Sequence, residues 1–259
     1  SRRKVPLVMG RVNTLIRNPT LFDSYLRLDS YRVHCYYIRI MTFKEAFEDL
    51  EKYADSEKAE HSKRFFKTGK GDYGEGDEFL GVTVPNQRKI AKKFKDMPLN
   101  EVKKLLQNDI HECRLTAVIL LVYKIEKAEQ EAIDEVAEFY LKNIQYINNW
   151  DIVDSSCRFI LAKHLEHKER GLLYKLVHSQ ILWERRIAII TCYYFIKKND
   201  FKDALALSNI LIDDKHDLIQ KAVGWMLREI GNQDQEVEES FLLENERFKT
   251  MPRTMLRYE

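Results

Sequence analysis

The chain has 259 residues, 44% hydrophobic and 32% charged, with a formal net charge of +2. This is enough apolar sequence for a continuous core and excludes a disordered chain, while charges interrupt every apolar run before the roughly 20 residues that span a bilayer. Only nine glycines and five prolines occur among abundant helix-forming residues, so the composition predicts an all-α protein without a membrane segment.

Residues 1–40 form a basic segment with eight arginines and lysines against two acids, a balance of +6, and no sustained helical period. We interpret it as a targeting peptide or an extension upstream of the fold, without a catalytic role. The domain is predicted to occupy residues 41–259, because Thr42 and Glu45 stand in capping-box positions before an amphipathic segment. This domain carries −4, so any DNA-binding surface in it must be local.

The segment 67–81 contains five of the nine glycines. It does not match the phosphate-binding pattern G-x-x-x-x-G-K-[ST] and is predicted to be a flexible turn. Pro85 is then expected to open a helix whose basic residues include Arg88 and Lys92. These side chains would either contact DNA phosphates or form a solvated face.

A helix recurs along the rest of the chain. Its equivalent positions are separated by 37, 34, 35 and 33 residues and are Arg114, Asp151, Arg185, Gln220 and Arg253. A second amphipathic helix follows each of the first four repeats, which is typical of helical-pair arrays. We therefore predict a HEAT-like solenoid whose second helices line a concave DNA-binding groove.

The segment NNWDIVDSS is the strongest candidate for a site. Asn148 or Asn149 can cap the helix, and Trp150 and Asp154 are four residues apart, so they share one helix face. Asp151 is expected to be structural, complementing the helix dipole. Asp154 is the candidate catalytic carboxylate, and the alternative is an ordinary solvated acid.

The tryptophans and arginines of the following repeats admit two interpretations each. Trp183 is expected in the core, whereas Trp225 is either a core residue or part of the site. Arg185 and Arg186 lie at the positive end of a helix, where a cation needs an anionic partner. That partner is either a DNA phosphate or a carboxylate of a neighbouring repeat.

Five segments in order, GVTVPNQRKIAK, NNWDIVDSS, WERRIAII, IQKAVGWMLREI and MPRTMLRY, resemble the bacterial DNA alkylation repair enzymes, the AlkD-like glycosylases. The resemblance covers residues 42–259. It implies that Asp154 is the catalytic carboxylate and that Trp150 and Trp225 flank the lesion nucleotide. It also implies that Arg186 holds the DNA backbone, with Arg185 as its neighbour.

The rest of the predicted DNA surface is less closely matched. Phe65 stands where some members have a groove-facing tyrosine, and Thr83 where some have glutamine, so the polar contacts at these two positions differ from those of such members. Together with Arg88, Lys92 and Arg253, these residues complete the expected DNA-binding set.

The resemblance implies a DNA glycosylase that removes cationic N3- or N7-alkylated purines from double-stranded DNA. We expect a monofunctional enzyme because no lysine stands out as a Schiff-base nucleophile. Widely spaced cysteines and one His164–His167 pair predict no metal and a reducing cytoplasm, where the enzyme would associate with the nucleoid. We expect a monomer without a cofactor. The alternatives are a non-catalytic DNA-binding member of the family and a protein-interaction solenoid.

Overall fold

A computed structural model describes residues 41–259. The basic segment 1–40, and with it the predicted extension, lies outside the described residues. The described chain is all-helical, and its one β pairing is an isolated bridge between Glu78 and Ile110. None of the helices within 41–259 combines the length and apolar character needed to cross a bilayer.

The helices follow one another with short connections, except at segment 67–81. In chain order they are α1 (Phe43–Glu51), α2 (Ser56–Phe65), α3 (Val84–Lys93), α4 (Leu99–Leu106), α5 (His111–Lys124), α6 (Gln130–Lys142), α7 (Trp150–Asp154), α8 (Cys157–Leu165), α9 (Gly171–Val177), α10 (Leu182–Ile196), α11 (Lys202–Ile210), α12 (Asp217–Gly231), α13 (Gln235–Leu243), α14 (Arg247–Thr250) and α15 (Arg253–Leu256). The predicted helix pairs and the all-α helical-repeat fold are confirmed.

Local sequence explains where several helices begin. The capping box predicted at α1 is present, since Thr42 Oγ1 accepts from the Glu45 amide and the Glu45 carboxylate accepts from the Thr42 amide. Asn149 caps α7 by accepting from the amide of Trp150. Pro85 lies in the first turn of α3, where its missing N–H costs no hydrogen bond.

The repeat is visible in side-chain contacts as well as in spacing. At three of the five equivalent positions, the side chain donates to the carbonyl six residues earlier. Arg114 reaches Asn108 O at 2.8 Å, Arg185 reaches Ser179 O at 2.9 Å and Gln220 reaches Asp214 O at 2.9 Å. Each bond fastens the loop before a repeat helix to that helix. These positions therefore serve the architecture of the repeats.

The core runs through the first helix of each pair. Helix α10 packs against α8, α9 and α12, and its middle is buried around the whole circumference, as is that of α5. The helices paired with them carry one buried stripe, as amphipathic helices at a surface do. Apolar residues from all the repeats form one continuous cluster. The first helices thus form a tightly packed support for the side chains they carry.

One predicted helix is broken in the structure. The segment starting at Trp150 divides into α7 and α8 at Ser155 and Ser156. The Ser156 hydroxyl contacts the Ile152 carbonyl at 2.6 Å and the Tyr140 hydroxyl at 2.9 Å. A buried serine that bonds backbone carbonyls competes with the helical pattern, which explains the break. Helix α7 is consequently a single short turn that presents Trp150 and Asp154.

Candidate active site

A cleft of about 470 Å³ contains the candidate carboxylate. Its walls come from α2, α7, α10, α12, segment 67–81 and the segment after α15. The lining residues are Phe65, Lys67, Tyr73, Trp150, Asp154, Arg186, Leu218, Lys221, Trp225, Arg228 and Tyr258. We call it the Asp154 cleft. The repeat residues of this cleft come from first helices, on which the sequence placed Trp150, Asp154 and Trp225, and not from the second helices expected to line the groove.

The Asp154 carboxylate is held by Arg186. The guanidinium makes a two-point contact, with Nε 2.9 Å from Oδ1 and Nη2 2.7 Å from Oδ2. Arg186 is only 5% exposed and also donates from Nη1 to the Leu218 carbonyl. Such a fork fixes both the position and the plane of a carboxylate. The structure therefore places Arg186 against the candidate catalytic group, with its fork already occupied.

Burial raises the pKa of Asp154, and the charge of Arg186 opposes this rise. The carboxylate side chain nevertheless keeps 18% of its surface accessible, on the side that faces the cleft. It is thus partly shielded from water without being sealed inside the core. A charge in such a site acts on a neighbouring charge more strongly than it would in open water.

The two tryptophans predicted for the site both line the cleft and are firmly supported. Trp150 stacks on Phe66 with ring centroids 5.5 Å apart, while Phe65 meets its face edge-on at 5.9 Å. Trp225 donates its indole N–H to Glu229 at 3.0 Å. Both indoles thus line the same cleft as Asp154.

Trp183, which the sequence assigned to the core, packs against the core cluster from its edge. It is only partly buried and meets the Tyr73 ring edge-on at 6.0 Å. Segment 67–81 reaches the first turn of α10 through this contact. Trp183 therefore joins the loop to the repeats.

Asp151 is structural, as its position at the start of α7 suggested. Its Oδ2 lies 2.9 Å from His111 Nε2, and the other ring nitrogen of His111 lies 3.1 Å from Asp77 Oδ2. Burial would lower the pKa of His111, but the two carboxylates outweigh it and raise the pKa to about 9. The charged imidazolium connects segment 67–81 to α7. This network positions the helix that carries Asp154.

Arg185 is also engaged within the fold. Its Nε lies 2.8 Å from Asp214 Oδ2, and Nη1 contacts the carbonyls of Ser179 and Gln180 at 2.9 and 3.1 Å. The partner is thus a carboxylate of the next repeat, one of the two interpretations left open. Its predicted DNA contact would require this ion pair to open.

The remaining predicted DNA residues lie on the surface. Phe65 is 56% exposed at the edge of the Asp154 cleft. Exposed positions outside the cleft lining are Thr83, Arg88, Lys92 and Arg253. They are free to meet a macromolecule but are not brought together with Asp154. Their DNA contacts stay predictions.

Several cleft residues were missed by the sequence reasoning. Lys221 and Arg228 lie on α12, one turn before and one turn after Trp225 respectively, so helical spacing could have found them. Lys67 and Tyr73 come from segment 67–81, for which no periodicity exists. Local sequence carries no signal for Tyr258 either, since this residue reaches the cleft only through the packing of α15 on α12.

Arg158, one turn after Asp154, was also missed by the sequence reasoning, and it lies outside the cleft lining. Its guanidinium carbon lies 4.7 Å from the Tyr193 ring centre and 5.9 Å from that of Trp225. It forms no ion pair within 4.0 Å in the described chain, although its charge opposes the rise that burial causes in the pKa of Asp154, and its Nε is buried without a hydrogen-bond partner. Stacking on rings leaves the edge of a guanidinium available for an anion.

The chain resembles known proteins in sequence pattern and in fold. A protein-family model described as DNA alkylation repair enzyme matches residues 46–258. A solved structure described as a predicted DNA alkylation repair enzyme from Enterococcus faecalis superposes with a TM-score of 0.60 at 17% identity, covering 79% of this chain and 94% of that one. AlkD2 from Streptococcus mutans aligns with a TM-score of 0.48 at 16% identity, covering 84% and 95%. No significant match occurs among curated proteins.

Proposed function

Because the chain belongs to the DNA alkylation repair enzyme family, we propose that it is a DNA glycosylase. The substrate is double-stranded DNA with purines alkylated at N3 or N7, and the reaction is hydrolysis of the N-glycosidic bond. The supporting observation is the Asp154 carboxylate, fixed by Arg186 in a cleft that has Trp150 and Trp225 on its walls.

The chemistry needs a fixed negative charge. As the bond between C1′ and the base lengthens, positive charge develops on the deoxyribose, and a carboxylate beside C1′ stabilises the transition state. The pair with Arg186 orients Asp154 before substrate arrives, so little reorganisation accompanies the reaction. The same carboxylate can position the water that adds to C1′. The product is an abasic site and a free base.

The leaving group needs no acid. A purine alkylated at N3 or N7 already carries a positive charge and departs as a neutral base. The indole faces of Trp150 and Trp225 attract the cationic sugar and base by cation–π interaction, worth about 0.5–2 kcal/mol each. The aromatic walls and the single carboxylate of the cleft lining therefore favour positively charged lesions over neutral ones.

The DNA backbone would meet the cations around the cleft. Arg228 is exposed at the rim, and Lys67 and Lys221 line the cleft with it. Arg186 is better suited to holding Asp154 than to binding a phosphate, since its fork is occupied. The predicted contacts of Arg88, Lys92, Thr83 and Arg253 would extend the interface along the duplex. We expect a monomer, acting in the cytoplasm on chromosomal DNA without a cofactor.

The test is release of free base from duplex DNA that contains N7-methylguanine or N3-methyladenine, separated by chromatography after incubation with the whole chain. Release above the spontaneous rate, without strand cleavage, supports the proposal. Salt-dependent duplex binding without release supports a non-catalytic DNA-binding protein instead. If the protein shows neither base release nor duplex binding, the remaining alternative is a protein-interaction solenoid.

A further inference from the structure

Arg158, on α8, packs its guanidinium against three aromatic rings. The guanidinium carbon lies 4.8 Å from the ring centre of Phe159, 4.7 Å from that of Tyr193 and 5.9 Å from that of Trp225. Its Nε is buried, and no group within residues 41–259 accepts a hydrogen bond from this nitrogen. A buried donor without an acceptor is costly, so it calls for an explanation. The rings hold the positive charge in place without neutralising it.

Two carboxylates near these rings each have a cation of their own. Arg186 holds Asp154 at two points, at 2.9 and 2.7 Å. The Lys197 ammonium lies 2.5 Å from one carboxylate oxygen of Glu229, and the other oxygen accepts from an indole N–H. The charge of Arg158 is therefore surplus to the ion pairs of this region.

In this respect Arg158 differs from the other arginines of the described chain. Those that are at least partly buried each pair with a carboxylate, and they are Arg114, Arg170, Arg185, Arg186 and Arg247. The remaining arginines within 41–259 are exposed to water. Only at Arg158 does the described fold shield a guanidinium and leave it without an anion. An anion from outside the protein would complete this site.

We propose that Arg158 binds a backbone phosphate of the lesion-bearing strand, close to the nucleotide whose sugar faces Asp154. The inference rests on the glycosylase function proposed above. Arg158 follows Asp154 by four residues, and residues at this separation along a helical backbone lie about 5–6 Å apart. Each strand carries one phosphate per about 3.4 Å of duplex axis. The bound phosphate is therefore expected within about two nucleotides of that sugar.

A guanidinium held by rings suits this role. Stacking fixes its plane and leaves the nitrogens at its edge to contact two phosphate oxygens at once. The side chain is already ordered before DNA binds, so little entropy is lost in forming the contact. A strand anchored here would keep the sugar beside the carboxylate. The contact is made from the sugar–phosphate side and needs no pocket for the base.

The experiment measures duplex binding by the whole chain with fluorescence anisotropy. The duplex carries one N7-methylguanine on a 2′-fluoro sugar, which slows base release. The two phosphates on each side of the lesion are replaced, one at a time, by uncharged methylphosphonates. In the wild type, at least one replacement is expected to weaken binding by about tenfold. In Arg158→Gln that replacement should have no effect, and the slope of log binding constant against log salt concentration should fall by about one.

Arg170→Gln is the matched control. The Arg170 guanidinium also stacks on a ring of α10, that of Phe195 at 3.5 Å, but it is paired with Asp200 and Asp203. This variant should lower the melting temperature and leave the methylphosphonate effect and the salt slope at their wild-type values. A purely structural role for Arg158 would give the same pattern in Arg158→Gln.

The outcomes separate this contact from the proposed chemistry. An unchanged methylphosphonate effect in Arg158→Gln, or no loss at any of the four phosphates in the wild type, overturns the contact. Should Arg158→Gln not fold, Arg158→Lys replaces it, and the critical methylphosphonate should cost this variant less than it costs the wild type. A wild type that shows the phosphate effect but releases no base refutes the glycosylase and leaves the contact standing. A protein that binds no duplex overturns both.

Discussion

Replacing Asp154 by asparagine isolates its charge from its shape. Asparagine keeps the volume and one oxygen acceptor but loses the negative charge that faces the developing sugar cation. Removing one oriented electrostatic contact from a transition state costs about 3–4 kcal/mol, which is a 10²- to 10³-fold loss of rate. We expect a loss of this size in single-turnover release of N7-methylguanine.

The same substitution has a predictable effect on folding. Arg186 is almost fully buried and would lose its only carboxylate partner among the described residues. Breaking a buried ion pair costs about 3–5 kcal/mol, and we expect the lower value because Asp154 keeps contact with solvent. Duplex affinity should stay the same or increase, since an anion leaves a surface that meets phosphates. Fluorescence anisotropy with an alkylated duplex measures it.

Two controls separate chemistry from stability. Asp154→Glu retains the charge but moves it by one methylene, so it should fold better than Asp154→Asn and still lose activity. Asp217→Asn removes an exposed carboxylate paired with Lys221 on α12 and should change neither rate nor melting by much. Release by folded Asp154→Asn within about threefold of wild type would refute the role assigned to the carboxylate.

The pH dependence of release follows from the raised pKa of Asp154. The carboxylate must be ionised to act, so the rate falls as the pH drops through that pKa and is constant above it. Because burial shifts this pKa upward from 3.8, the inflection should lie above the ordinary aspartate value. Asp154→Asn should abolish the inflection, whereas an inflection that persists in this variant would assign it to another group.

Three further predictions concern the supporting structure. The pKa of His111 is raised from 6.5 to about 9, so protonated His111 stabilises the fold by up to about 3 kcal/mol. This stabilisation is complete below pH 6.5 and is lost as the pH rises through 9. His111→Gln should therefore weaken the dependence of the melting temperature on pH in this range. Gly81→Ala should destabilise more than Gly71→Ala in urea unfolding, since both φ angles are near +80° but only at Gly81 does a Cβ meet backbone, 2.0 Å from an oxygen; equal losses would contradict the clash. Arg185→Ala should lower the free energy of unfolding by about 2 kcal/mol and leave the salt dependence of duplex binding unchanged. If the slope of log binding constant against log salt concentration fell by about one, Arg185 would be assigned a phosphate contact after all.

Much of the fold follows from local sequence. The near-constant spacing of Arg114, Arg185 and Gln220 identified the repeats, and those side chains make equivalent contacts in the structure. The start of α7 was predictable because an asparagine cap is a local interaction. Trp150 and Asp154 could be placed on one face for the same reason, since helical geometry relates residues four apart.

Tertiary structure alone decided the partners of the site residues. Arg186 lies 32 positions from Asp154 and Asp77 lies 34 from His111, and no local period encodes which carboxylate a distant cation meets. The position of Tyr73 is equally non-local, because a glycine-rich segment has no preferred helical or strand geometry and its path depends on the contacts of Asp77 and Glu112. The amino-acid sequence thus specified the repeats and a candidate carboxylate. Packing between repeats determined that an arginine orients this carboxylate and that aromatic rings line the same cleft.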